Sequence, residues 1–168
     1  MRRTISFVVI ILIALLLQTT VFADIRLLGA QPELMYLITI VFAMLEGPSS
    51  GAIAGFAGGM AQDFLLNQPK GVTALALTLL GYAIGLLRTY IVSPSPIVPV
   101  FLVAGGTFAG VVFYGVVSFL LGLLDSSWWY LLRVAALSGL YNAILTPLLY
   151  PLIRRVAEGS RPHRVVRL

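Results

Sequence analysis

Cysteine is absent from this 168-residue chain, and histidine occurs once, at position 163. The first absence excludes disulfides, zinc–thiolate sites and cysteine nucleophiles. The second leaves no imidazole inside any apolar stretch, because His163 stands in the polar C-terminal segment. Charge is scarce as well: Asp, Glu, Lys and Arg make up 10% of the residues, and the six carboxylates are scattered as Asp24, Glu33, Glu46, Asp63, Asp125 and Glu158. Hydrolysis and phosphoryl transfer need a base positioned beside a nucleophile or metal, and no paired-carboxylate or Ser-His arrangement is present. Ser118 and Ser138 have no base near them in sequence, and hydroxyls in apolar helices usually bond to backbone. No catalytic residue, metal site or cofactor is expected.

What remains is strongly apolar: 60% of the residues are hydrophobic and the mean hydropathy is +1.02. Such a composition belongs to an all-α integral membrane protein, and 16 glycines with 9 prolines suit membrane helices and their tight connections. A span needs roughly 20 apolar residues. Six apolar segments are read as spans, near 5–23, 33–46, 48–66, 71–92, 97–124 and 128–153. The second is short enough to be a half-membrane helix, and the connections between segments are too short to fold alone. Gln18-Thr19-Thr20 interrupts the first apolar run where an interhelical hydrogen-bonding patch can sit. The same run, with Arg2 and Arg3 before it and Val21-Phe22-Ala23 after it, also has the order of a signal peptide, but it is longer than a usual apolar core of one. Pro147 and Pro151 lie inside the last span and are expected to kink it.

The basic residues set the orientation. Six spans put Arg2, Arg3, Arg88 and the tail residues Arg154, Arg155, Arg161, Arg164 and Arg167 on one side, against Arg26, Lys70 and Arg133 on the other. Positive charge accumulates on the cytoplasmic side, so both termini are expected there. Residues 154–168 form a basic cytoplasmic tail suited to anionic lipid or an intracellular partner, which explains the net charge of +5 without nucleic acid.

Small residues recur at helical spacing. Gly51, Gly55 and Gly59 are four apart on the third span, Gly81 and Gly85 on the fourth, and Gly106 and Gly110 on the fifth. These small-xxx-small ridges let another backbone approach closely, either that of a partner's membrane helix or that of a neighbour in the bundle. An ionisable residue in a span calls for a named partner. Asp63 and Arg133 are expected at similar depth near the outer side, and Glu46 and Arg88 near the inner side, so two structural charge pairs are predicted. The alternatives are an Asp63 carboxylate capped by Asn67 or Gln68, and a snorkelling Arg88.

Four stretches together carry a family likeness: the basic start with an apolar helix ending in Gln18-Thr19; the loop Gln31-Pro32-Glu33-Leu34; GAIAGFAGGMAQDFL (51–65); and PKGVTALALTLLGYAIG (69–85). With them the chain resembles the bacterial rod shape-determining protein MreD family over nearly its whole length. SPSPIVPVF and DSSWWY in the second half match nothing distinctive. The resemblance implies a six-helix bundle similar to the substrate-binding components of energy-coupling-factor transporters. It also implies a non-enzymatic role in the elongation machinery, binding the single membrane helix of MreC and working alongside MreB, the glycosyltransferase RodA and a class B penicillin-binding protein. It assigns no catalytic residues.

The rival reading is a substrate-binding component of a vitamin-type transporter, which requires an outward-facing pocket with convergent polar and aromatic groups. The outer loops offer little toward one beyond Asp24, Arg26, Glu33, Asn67, Gln68 and Asp125.

Overall fold

The computed structural model describes the backbone of residues 2–20, 30–66, 71–90, 97–123 and 127–159. Six α-helices carry these residues: α1 (Arg2–Thr20), α2 (Leu34–Glu46), α3 (Pro48–Leu65), α4 (Val72–Leu87), α5 (Ile97–Leu120) and α6 (Trp128–Gly159). A short 3-10 turn, Arg88–Tyr90, extends α4. Three of the helical stretches, Val72–Tyr90, Ile97–Leu120 and Trp128–Arg155, are long and apolar enough to cross a membrane. Val21-Phe22-Ala23, Asn67, Gln68, His163 and the tail arginines Arg161, Arg164 and Arg167 lie outside the described residues.

The short second segment is the centre of the bundle. Its 13 residues span only about 20 Å at 1.5 Å per residue, yet every residue from Leu34 to Ala43 is buried. A helix that is apolar all round finds its place in a core, and α2 contacts each of the other five helices. Gly47 alone separates it from α3. At φ +96 this residue takes a left-handed conformation open to glycine, and Pro48 follows at the first helical position.

The other helices are wrapped around α2 with apolar side chains outward. Leu16, Phe56, Phe64, Leu79, Phe101, Trp129, Ile144 and Leu148 are all well exposed. So large an apolar surface is a liability in water and is the normal exterior of a protein in lipid. α6 continues through Pro147 and Pro151 to Gly159, beyond the boundary expected at 153. Ile153 and Ala157 explain the extension, since both are buried against the bundle and keep the helical period. Arg154 and Arg155 therefore sit exposed on the helix itself.

The glycine ridges are used inside the bundle. A Cβ added to Gly51 would stand 2.5 Å from the carbonyl oxygen of Gly81, one on Gly55 would strike the Leu77 carbonyl, and one on Gly59 would strike Ala74. From the other side, Gly81 abuts the Gly51 backbone and Gly85 abuts Pro48. Helices α3 and α4 thus touch backbone to backbone along Gly51, Gly55, Gly59, Gly81 and Gly85, so that of the two surfaces the spacing allows, these glycines meet a neighbour in the bundle. Gly106 and Gly110 on α5 are likewise filled, by Ile40 and Tyr36 of α2.

Gly55→Ala forces this pair of helices apart, and overpacking of that kind costs about 1–3 kcal/mol. Gly105→Ala is the control, because a Cβ there meets nothing within 4 Å. Thermal unfolding in detergent is expected to show a lowered Tm for the first variant and an unchanged or raised Tm for the second; equal behaviour would refute the α3–α4 packing.

Candidate functional site

Polar side chains converge where residues 30–33 enter the bundle ahead of α2. The Asn142 side chain, fully buried on α6, accepts from the Glu33 N–H at 3.1 Å and donates to the Glu33 carbonyl at 2.8 Å. It also donates to Thr107 Oγ1 on α5 at 3.0 Å. Ser138, one helical turn earlier on α6, donates to the Gln31 carbonyl at 3.2 Å. Non-helical backbone away from water needs such partners, since each unsatisfied group costs several kcal/mol in hydrocarbon.

The Glu33 side chain is held from two other helices. Its Oε2 accepts from Gln18 Nε2 of α1 at 3.1 Å and from Gln62 Nε2 of α3 at 3.4 Å. The interhelical patch expected at Gln18-Thr19-Thr20 is therefore made by Gln18. Thr19 and Thr20 bond back to the Leu15 and Leu16 carbonyls of their own helix. Because their amide nitrogens point at Glu33, both glutamines are left with Oε1 buried and without a hydrogen-bond partner.

Asp63 is wholly buried and serves as a cap from a neighbouring helix. Its Oδ2 accepts from the Gly71 N–H at 2.8 Å and the Ala74 N–H at 3.3 Å, the first free donors of α4. A carboxylate at a helix N-terminus satisfies orphan donors and meets the positive end of the helix dipole. Arg133 lies exposed on α6. The backbone N–H groups of α4 hold Oδ2 of Asp63, while Oδ1 is buried without a hydrogen-bond partner. On the opposite side of the bundle, Arg88 Nη1 lies 3.6 Å from where a Cβ of Gly47 would stand, bringing it beside Glu46 in the chain. Arg88 itself is exposed.

Glu33 and Gln62 open onto a cavity of about 200 Å³. Tyr36, Thr73 and Tyr114 add polar atoms to its wall, and Val111, Leu131 and Val134 add apolar ones. Its mouth carries Phe119, Trp128 and Tyr130, where the Phe119 and Trp128 rings pack with centroids 5.4 Å apart and planes tilted by 53°. The loops were a poor guide to this pocket, because most of its polar groups come from helices: Gln62 on α3, Thr73 on α4 and Tyr114 on α5. Asn142, Thr107 and Gln62 had a sequence signal that went unused, being isolated polar residues inside otherwise apolar spans.

A family model of the rod shape-determining protein MreD matches residues 1–156. The chain belongs to the MreD family. Members of this family are membrane proteins of rod-shape determination, and the match spans all six helices up to Val156. No curated protein and no solved structure matches the chain. The family match lends no support to the transporter component.

Two variants separate the roles assigned here. Asp63→Leu strands the α4 donors in the interior and is expected to cost about 2 kcal/mol or more, whereas Arg133→Ala at an exposed position stays within ~0.5 kcal/mol. Equal losses in a denaturant titration would restore the ion pair between them.

Proposed function

We propose that this protein is a non-enzymatic scaffold of the bacterial cell-elongation machinery, maintaining rod shape by binding MreC and helping to organise peptidoglycan synthesis. The family match over residues 1–156 carries the reading. MreC is the direct partner; MreB, RodA and a class B penicillin-binding protein are reached through the assembly. The protein sits in the inner membrane with six spans and both termini in the cytoplasm, as the bias of eight basic residues to three supports. The enclosed short α2 is consistent with a bundle similar to the substrate-binding components of energy-coupling-factor transporters.

In this arrangement Glu46 and Arg88 form a charge pair on the cytoplasmic side. Arg154, Arg155, Arg161, Arg164 and Arg167 meet anionic lipid or an intracellular partner, at about 1 kcal/mol per basic residue near the surface.

With the α3 and α4 ridges filled, a partner helix needs another close-approach surface. Gly105 and Ala109 on α5 supply one: both are exposed, they are four residues apart, and a Cβ on Gly105 would meet open space. Phe101 and Phe108, also exposed, flank them and add contact area. The spacing is that of a small-xxx-small helix dimer.

Copurification from native membranes tests the reading. Wild-type protein is expected to recover MreC. Gly105→Leu is expected to reduce that recovery roughly tenfold, the ratio a 1.4 kcal/mol loss produces, while leaving the melting curve unchanged. Undiminished recovery would move the MreC helix to a different face. Recovery of ATPase subunits with a bound small molecule, in place of MreC, would overturn the scaffold.

A further inference from the structure

We propose that the cavity binds the ammonium group of an amine-bearing phospholipid, with Glu33 as its counter-ion and Gln62 Oε1 as a hydrogen-bond acceptor. This goes beyond the scaffold reading and does not depend on it.

Charge comes first. Among the described residues that line the cavity Glu33 is the carboxylate, and none of them is Lys, Arg or His. An anionic ligand would meet a carboxylate without a compensating cation, so the chemistry selects a cation. Hydrogen-bonding capacity points the same way. Gln62 is 2% exposed, and because its Nε2 is engaged by Glu33 Oε2, its Oε1 is presented as an acceptor with no donor. A buried acceptor left in this state is costly, and a ligand that brings N–H donors relieves it. An ammonium has only donors to give.

The aromatic lining fits the same group. Tyr114, Phe119, Trp128 and Tyr130 are among the lining residues, and a cation within about 6 Å of an aromatic face is stabilised further. The volume of about 200 Å³ suits a compact aminoethyl group better than a bulky headgroup.

The source of the ammonium follows from what lies at the mouth. Trp128 and Tyr130 are half exposed there, and tryptophan and tyrosine belong at the level of lipid headgroups. Leu120, Leu121, Leu123 and Trp129, neighbours in the chain of the lining residues Phe119, Trp128 and Tyr130, are exposed and apolar, as a surface for acyl chains requires. A free amine would gain nothing from this surface.

The test uses full-length protein in nanodiscs made from equal parts phosphatidylethanolamine and phosphatidylglycerol, with retained lipid measured by native mass spectrometry. Wild-type protein is expected to retain phosphatidylethanolamine about tenfold over its bulk share, a preference of ~1.4 kcal/mol. Glu33→Gln, which preserves shape and an acceptor but removes the charge, is expected to return to the bulk ratio with its melting curve recorded alongside. Should that variant fail to fold, Gln62→Met is read by the same ratio and is expected to lose several-fold of the enrichment. Absence of enrichment in wild type, or full enrichment in a folded variant, would overturn the proposal. Free ethanolamine displacing the lipid as effectively as a short-chain phosphatidylethanolamine would overturn the lipid source. A photo-crosslinker at position 130 that captures protein side chains in native membranes and no lipid would overturn it as well.

Discussion

Asn142 gives its oxygen to the Glu33 N–H and its amide to the Glu33 carbonyl and Thr107, and this clamp allows α2 to begin inside the protein. In hydrocarbon, backbone that is not helical survives only where the protein supplies its partners. A thirteen-residue helix cannot reach both faces of a bilayer about 30 Å thick, so one end must be provided for internally. Once that end is secured by α5 and α6, the apolar circumference of α2 becomes the surface on which the remaining helices pack. The Glu33 side chain then ties α1 and α3 to the same point.

The α3–α4 contact solves the complementary problem. In lipid there is no hydrophobic force to drive helices together, so close packing must do it, and packing improves as side chains shrink. Removing side chains at Gly51, Gly55, Gly59, Gly81 and Gly85 lets main chain meet main chain. Asp63 then reaches across the seam to the free N–H groups of α4, fixing the relative height of the two helices. A rigid inner layer of α2, α3 and α4 results, and α5 and α6 enclose the cavity against it. Close packing of this kind suits a membrane protein of the MreD family, which belongs to the cell-shape machinery.

The two polar centres differ in what lies beside them. Asp63 spends Oδ2 on backbone donors, leaves Oδ1 buried without a hydrogen-bond partner, and stays out of the cavity lining. At Glu33 the surrounding glutamines arrive with their donors turned toward the carboxylate and their acceptors idle, so the region is short of donors rather than satisfied. Both centres keep an idle acceptor, and the open volume lined by Glu33 and Gln62 is what sets this one apart from Asp63.

The sequence by itself determined the helical class, the approximate limits of the helices and the family, because each depends on local quantities: apolar run length, proline and glycine placement, and short stretches such as 51–65 and 69–85. It also marked the small-residue ridges and Gln18 as packing and bonding positions. Which surface each would meet was decided only by the tertiary structure. The spacing of Gly51, Gly55 and Gly59 is the same whether α4 or a foreign helix lies against it, and an expected common depth for Asp63 and Arg133 does not say whether they face each other. Rotation of a helix about its own axis is invisible in a linear pattern of apolar residues when every face is apolar. It is fixed here by long-range contacts, Asn142 to Glu33 across 109 residues among them, and those same rotations gather Glu33, Gln62, Thr73 and Tyr114 around one cavity.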